Sequence, residues 1–315
     1  MDRKRFRFSH LLARLRGWIQ AGAVLLTNPH LPNFLRGGLY RGPGKTVCVP
    51  GLNCYSCPAA AGACPIGAFQ AVAGSSKFHF SYYITGLLIL MGVLLGRFIC
   101  GFLCPFGWLQ ELMHRIPIKK RSTKPLAPLT CLKYGVLLVM VVILPAVAVS
   151  DVGLGDPFFC KYLCPQGVLE GAVPLALTNA GIRAALGVLF TWKFVILLTV
   201  LALSAVFFRP FCKWLCPLGA FYALFNQVSM VQMNVDRTKC VACGICARAC
   251  RMDVDVTKTP NHTECIRCGM CVRQCPTGAV RFRCGFGTGE GKENACPEKR
   301  ELQGKPMESR KGEQT

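Results

Sequence analysis

Apolar and polar positions fall in blocks along this chain rather than alternating residue by residue. Near-continuous apolar runs cover Tyr82–Ile99, Tyr134–Val149 and Ala184–Phe208. A shorter run, Gly17–Leu26, follows a basic start (Arg3, Lys4, Arg5, Arg7, Arg14, Arg16) and is broken by Asn28-Pro29. A membrane-spanning helix needs roughly 20 apolar residues. The pattern therefore predicts about four spans, near 11–27, 82–99, 134–149 and 184–208. The first is short, and an interfacial amphipathic helix is its other reading. Tyr82 and Tyr83 read as interface anchors, Lys193 beside Trp192 as a snorkelling lysine, and Pro145 as a kink or an end.

Lysine and arginine orient the spans. Arg115, Lys119, Lys120, Arg121 and Lys124 follow the second run, while 151–181 has only Lys161. The N-terminus, the 115–124 loop and everything after Phe208 are thus expected in the cytoplasm. The 28–80 and 151–183 loops are expected outside.

Composition agrees with this segregation. The chain has 315 residues and a formal charge of +22, yet a mean hydropathy of +0.38. Membrane helices with basic flanks reconcile the two. Nucleic-acid binding is not expected, because the basic residues flank apolar runs instead of lining an aromatic-interleaved face. No intramembrane carboxylate pair suggests ion transport. No histidine pair sits mid-span to hold a haem, and no nucleophile triad or phosphate loop is present. Asp253 and Asp255 read as solvated loop residues.

The 21 cysteines change the picture. Cys240, Cys243, Cys246 and Cys250 follow C-x2-C-x2-C-x3-C spacing, and so do Cys265, Cys268, Cys271 and Cys275, the last followed by Pro276. Three cysteines on one tight loop can wrap three corners of a [4Fe–4S] cubane, and the fourth ligand comes from the other half. Cys240, Cys243, Cys246 and Cys275 are assigned to one cluster, and Cys265, Cys268, Cys271 and Cys250 to a second. Zinc is the alternative, but it uses two separated C-x2-C pairs per site. The first run ends Cys250-Arg251 where the second ends Cys-Pro.

Between the apolar runs a second motif repeats. Cys100 and Cys104-Pro105-Phe-Gly107 recur as Cys160 and Cys164-Pro165-Gln-Gly167, and as Cys212 and Cys216-Pro217-Leu-Gly219. Cys64-Pro65-Ile-Gly67 closes a segment that also holds Cys48, Cys54 and Cys57, and the ferredoxin-type run ends Cys275-Pro276-Thr-Gly278. Proline suits the first helical position, so each cysteine would sit at a helix N-terminus, facing free N–H groups. By the orientation above, Cys100, Cys104, Cys212 and Cys216 share the cytoplasmic side and make a candidate inner cluster. Cys48, Cys54, Cys57, Cys64, Cys160 and Cys164 form the candidate outer site, as a cluster, disulfides or a redox dithiol. Arg97 and Arg209, three residues before Cys100 and Cys212, would offset a cluster's charge or simply anchor the spans. Cys131 reads as a packing residue; Cys284 and Cys296 receive no role.

From roughly Arg14 to Arg281, by motif and order, the chain resembles the membrane-bound polyferredoxins, a 4Fe-4S binding membrane-protein family that includes the NapH type and the C-terminal part of the NosR type. The third motif at Cys160/Cys164 and the Cys48–Cys64 segment are departures, and the flavin-bearing extracytoplasmic domain of the NosR type is missing. The resemblance implies quinol-linked electron transfer.

The expected fold is mainly α: a polytopic membrane helical domain of about four spans (1–230), then a small α+β bacterial-type two-cluster ferredoxin domain (231–283), then a disordered tail (284–315). The expected cofactors are two [4Fe–4S] clusters with one or two more in the membrane part. The expected function is electron transfer between a cytoplasmic donor or acceptor and the membrane, across the prokaryotic plasma membrane, with a cytoplasmic ferredoxin domain. Expected partners are membrane lipid, a flavoprotein or reductase, and quinone as a further candidate. The rival reading is a redox-sensing regulatory or maturation protein for a membrane-associated reductase.

Overall fold

The computed structural model describes residues 2–75, 82–149 and 155–285. The expected disordered tail, with Cys296, lies almost wholly outside them. Helix α1, Asp2–Thr27, opens the chain. A cysteine-bearing loop leads to α2, Pro65–Gly74, and α3, Tyr82–Leu95, follows. Next come α4, Pro105–Met113, and α5, Lys124–Val147. Then come α6, Gly167–Thr178, α7, Val188–Val206, and α8, Pro217–Leu224. Strands β1, Val231–Val235, and β2, Val280–Cys284, pair antiparallel with Val231 opposite Cys284 and Val235 opposite Val280. The architecture is mainly helical.

Two helices, α5 and α7, are long and apolar enough to cross a membrane, with mean hydropathies of 2.2 and 2.1. Only 22% of each apolar window is buried against the rest of the protein. Leu138, Val139 and Ile143 of α5 and Val195 and Leu198 of α7 face outward. In water such faces would be an unusually large apolar patch; in hydrocarbon they are satisfied. As expected, α5 ends near Pro145, at Val147. The helix widens into a π turn over Leu137–Ile143 and continues to Val147. The wider turn re-routes hydrogen bonds where proline offers no N–H. The same device precedes Pro174, in the π turn Gly167–Ala172.

α3 is shorter than its apolar run, ending at Leu95, where Gly96 adopts φ +53. α1 is not a simple span. Its first half packs on the ferredoxin-type part: Leu12 joins that core, and the Phe282 N–H donates to Ser9 Oγ at 3.3 Å.

One large core joins the helices to the C-terminal part. It holds Ile99, Phe106, Phe211 and Tyr222 of the membrane part and also Met252, Val254 and Ile266. A smaller core, Met233, Val235, Val256, Val272, Val280 and Phe282, supports the cysteine loops between β1 and β2.

Candidate iron–sulfur sites

The residue before proline is driven to extended backbone by contact with the proline ring. Cys64, Cys104, Cys164, Cys216 and Cys275 all obey, with φ between −71° and −83° and ψ between 111° and 127°. The chain then turns into helix, so each of the first four thiols lies at a helix start. The glycine of the motif donates its N–H back to its own cysteine, as Gly219 does to Cys216 Sγ at 3.4 Å; Gly67, Gly107 and Gly167 do likewise. Such N–H groups stabilise a thiolate and the negative charge of a bound cluster.

The structure brings Cys100, Cys104, Cys212 and Cys216 together, and all four are buried. Burial, then the neighbouring Cys212 and Cys100, pushes Cys104 up to about 12. Cys216 is raised further, by burial and by Cys212, Cys100 and Cys104. Thiols so placed stay protonated unless a metal takes the proton's position. Arg97 and Arg209 are fully buried and are not lipid-facing anchors. Each reaches the opposite motif. Arg97 Nη2 donates to the Cys212 carbonyl at 3.3 Å, and Arg209 Nη1 donates to the Cys100 carbonyl. Each is held by a glutamate that also holds a second cation. Glu264 joins Arg97 to Lys133, and Glu111 joins Arg209 to Arg16. Arg209 Nη2 is buried without a hydrogen-bond partner among the described residues. A cationic donor left unpaired beside four thiols fits an anionic group in their midst.

The six outer candidates separate into a set of four and two outliers. Cys164 lies within electrostatic reach of Cys160, Cys54 and Cys64. Cys160 likewise feels Cys64 and Cys54, and burial with these neighbours pushes it up to about 12. A Cβ on Gly67 would stand 3.7 Å from Cys160 Sγ, and one on Gly167 3.8 Å from Cys54 Sγ, so the two motifs face each other across a shared cradle. Cys57 interacts with Cys54 alone of the other thiols, and its Sγ donates to Asn28 Oδ1 at 3.6 Å. Cys48 bridges to Ala63 at the edge of the loop and interacts with Cys64 alone of the other thiols. Lys193 does not snorkel. Its Nζ donates to the Cys160 carbonyl at 3.0 Å and points at this set. Glu170 accepts from the Cys54 N–H at 3.0 Å.

The two sets are neighbours, although the charge pattern assigns them to opposite faces. The 28–64 loop folds back into the helices until Gly51 lies against Cys104, where a Cβ would meet the Cys104 Cα at 3.1 Å. Tyr222 is fully buried between them, its O–H donating to the Pro50 carbonyl at 3.0 Å. It lies within electrostatic reach of Cys100 and Cys104 on one side and Cys64 and Cys48 on the other.

In the C-terminal part each loop turns by left-handed backbone on both sides of its middle cysteine. Ala242 and Gly244 flank Cys243, and Arg267 and Gly269 flank Cys268, with φ between 53° and 75°. For alanine and arginine this costs roughly 1–2 kcal/mol each. Cys246 lies near Cys275, and Cys250 near Cys268. Cys271 is raised well above its ordinary value by burial, then by Cys268, Cys265 and Cys250. Cys243 is exposed.

This second group docks on the inner set. The Ile266 carbonyl presses on Gly101, between Cys100 and Cys104, where no Cβ would fit. Asn226 Nδ2 donates to the carbonyls of His262 and Cys265 at 2.6 and 2.9 Å. Arg267 Nη1 donates to the Leu95 carbonyl at 2.9 Å and so caps the C-terminus of α3. Asp253 is no solvated loop residue. Its carboxylate pairs with Lys213 Nζ at 3.0 Å and accepts from Ser122 and Thr123. Burial would raise its pKa, but the Thr123 hydrogen bond and Lys213 hold it below the usual range. Cys131 is exposed and does not pack.

Among the described residues no three His, Cys, Asp or Glu side chains close up enough to hold a single metal ion. Zinc thiolates at about 2.3 Å would bring their sulfurs within about 4 Å of one another. No such closely spaced thiol trio is formed among the described residues.

Sequence comparison falls on the same residues. A profile described as 4Fe-4S binding domain matches residues 78–125, 135–173 and 189–232, so each matched stretch carries one C-x3-C-P motif. A second profile, also described as 4Fe-4S binding domain, matches residues 259–281. The uncharacterized protein MJ0750 of Methanocaldococcus jannaschii is 30% identical over 55% of this chain and 66% of its own length. The regulatory protein NosR of Pseudomonas aeruginosa is 30% identical over 49% of this chain and 20% of its own. The methylamine utilization ferredoxin-type protein MauN of Paracoccus denitrificans is 26% identical over 49% of this chain and 48% of its own. The chain thus spans less than two thirds of the length of these relatives. No solved structure matches. With 4Fe-4S binding stretches lying over the repeated cysteine motifs and two apolar helices between them, the chain belongs to the membrane-bound polyferredoxins, the 4Fe-4S binding membrane-protein family.

Proposed function

We propose that this chain is an integral membrane electron-transfer protein with four [4Fe–4S] sites held in a line. When bound, the clusters supply one-electron transfer. The chain's own part is to fix their order. Cys240, Cys243, Cys246 and Cys275 form the distal site, and Cys265, Cys268, Cys271 and Cys250 the proximal one. Cys100, Cys104, Cys212 and Cys216 form the inner site, and Cys54, Cys64, Cys160 and Cys164 the outer one. The observation that carries this reading is the convergence of two separate four-thiol sets among the membrane helices, with the C-terminal part docked against one of them.

The residues around each set do three things. Buried N–H groups and arginines favour the anionic cluster. Apolar neighbours such as Phe106 and Phe211, in edge contact at 5.1 Å, exclude water. Tyr222 and the 28–64 loop keep the inner and outer sets adjacent. This reading retains four spans, a cytoplasmic C-terminal part from residue 231, and multi-pass placement in a prokaryotic plasma membrane. The partners are a cytoplasmic flavoprotein or reductase at the distal site, and quinone or an extracytoplasmic protein beyond the outer one. Iron and sulfide quantitation with EPR on anaerobically purified protein tests it. Four sites require about sixteen irons per chain; about eight would remove both membrane sites.

The second reading, a redox-sensing regulator, is favoured by one relative's printed name, regulatory protein NosR. Re-oxidation kinetics separate the two. Fast turnover with a quinone or a partner protein eliminates the regulator, and slow re-oxidation by every acceptor eliminates the wire.

A further inference from the structure

The four Cys-Pro-x-Gly elements of the membrane part share one more position. Six residues after the cysteine stand Gln70, Gln110, Glu170 and Tyr222. Every one of these side chains reaches across to another cysteine-bearing segment. Glu170 accepts from the Cys54 N–H and Tyr222 donates to the Pro50 carbonyl.

The two glutamines do the same thing twice. Gln110 Nε2 lies 3.1 Å from Cys212 Sγ, and Gln110 Oε1 accepts from the Phe211 N–H at 3.2 Å. Gln70 Nε2 lies 3.2 Å from Cys160 Sγ, and Gln70 Oε1 accepts from the Phe159 N–H at 2.9 Å. Each Nε2 also reaches its own helix, at the Phe106 or Ile66 carbonyl, 3.4 and 3.3 Å away. Both glutamines are fully buried. The Phe211 and Phe159 N–H groups leave the amides only one useful orientation, with oxygen to the backbone and nitrogen to the sulfur. In sequence Gln110 and Gln70 stand 102 and 90 residues from the cysteines they touch. An identical three-point arrangement at two independent sites is therefore a property of the site, and not of local chain geometry.

We propose that Gln70 and Gln110 are positioning residues. Each fixes the first cysteine of the facing C-x3-C-P motif and directs an N–H at its sulfur, which raises the reduction potential of its own site. The physical ground is that an N–H on a thiolate stabilises the more negative, reduced state more than the oxidised one. The inference rests on the four-site reading above. It adds that each membrane potential is tuned by its own glutamine.

Three variants are compared in the full-length protein by EPR-monitored redox titration. Gln110→Leu removes both halves of the contact; Gln110→Glu keeps an acceptor for Phe211 and removes the donor; Gln70→Leu does the first at the outer site. Gln110→Leu and Gln110→Glu should each favour oxidation of one and the same centre by about tenfold, about 59 mV for one electron. Gln70→Leu should shift a different centre by a similar factor and leave the first in place. The two C-terminal centres should not move. Unchanged midpoints at full iron content overturn the proposal, and so does a shift of the same centre by both leucine variants. Should a variant lose its centre, wild-type protein labelled with 15N in the glutamine side chain decides. A 15N hyperfine coupling at the reduced centre supports the contact, and its absence overturns it. Wild-type protein with only eight irons would instead sink the four-site reading itself, before any variant is compared.

Discussion

Around Cys100, Cys104, Cys212 and Cys216 stand two buried arginines, each tied to a glutamate that holds a further cation. Around Cys54, Cys64, Cys160 and Cys164 stand Lys193 and Glu170, with no guanidinium in the set among the described residues. The backbone plan is shared: cysteine before proline, glycine three residues on, and a glutamine reaching across. The difference lies in charge and in neighbours. All four inner thiols are buried, whereas of the outer four only Cys164 is. The inner network also carries Glu264 and Thr263 from the C-terminal part, since Arg97 Nη1 donates to both at 2.8 Å. One set of ion pairs thus serves both the site and the docking. Lys193 and Glu170 serve the outer site alone.

The largest test of the comparison is to delete a ligand on either side. Cys216→Ser should remove the inner centre and Cys164→Ser the outer, each lowering iron by about four per chain. Cys57→Ser and Cys48→Ser should leave the iron count unchanged, because neither thiol belongs to the facing four. Iron loss in Cys57→Ser with none in Cys54→Ser would reassign the outer site.

Next comes the ion network. Breaking a buried pair typically costs about 3–5 kcal/mol. Arg97→Met should destabilise the protein by about that much, read by denaturant unfolding that follows the iron–sulfur absorbance. Lys193→Met, whose partner is a carbonyl at a half-buried site, should cost about 1 kcal/mol. Equal costs would erase the contrast between the two sites. The same asymmetry orders the potentials. Extra positive charge favours the reduced cluster, so the inner centre should titrate above the outer by at least about 60 mV, the one-electron equivalent of a tenfold ratio.

The smallest effect is on pH. The Asp253 carboxyl is held below its unfolded value, so its contribution is complete above about pH 4. That contribution is lost as the pH falls further, through the folded value. Asp253→Asn should flatten this acid limb and cost about 1 kcal/mol or less at neutral pH, since the pair is partly exposed. A pH profile of unfolding unchanged from wild type would remove Asp253 from the docking.

Cysteine spacing alone makes most of the chemistry legible, because ligand geometry is local. Proline after cysteine fixes a dihedral, and a C-x3-C step fixes a helical turn. Local rules do not say which four of the six outer cysteines meet, since that depends on how the 28–64 loop folds back. Charge pattern misleads at three places. Lys193 follows Trp192 in an apolar run and has the pattern of a lipid-facing lysine, yet it turns inward. Arg97 and Arg209 fit the pattern of anchors equally well until Glu264 and Glu111, distant in sequence, are seen beside them. Asp253 reads as solvated for the same reason, its partner Lys213 lying in another segment. The two glutamines carry a legible signal, C-P-x-G-x-x-Q at Cys64 and again at Cys104.

The hydrogen bond from Tyr222 to Pro50 spans 172 residues. It bears on the history of each molecule as well as on its finished form. The loop that brings Cys54 and Cys64 leaves the ribosome early, but the residue that pins it is made only after α1–α7. Until then both membrane cysteine sets lack a full complement of neighbours. Loading of metal in this part is therefore expected to wait until α8 is made, and a chain truncated before residue 222 should be a poor acceptor for iron even though every thiol of the two membrane sets is already in place.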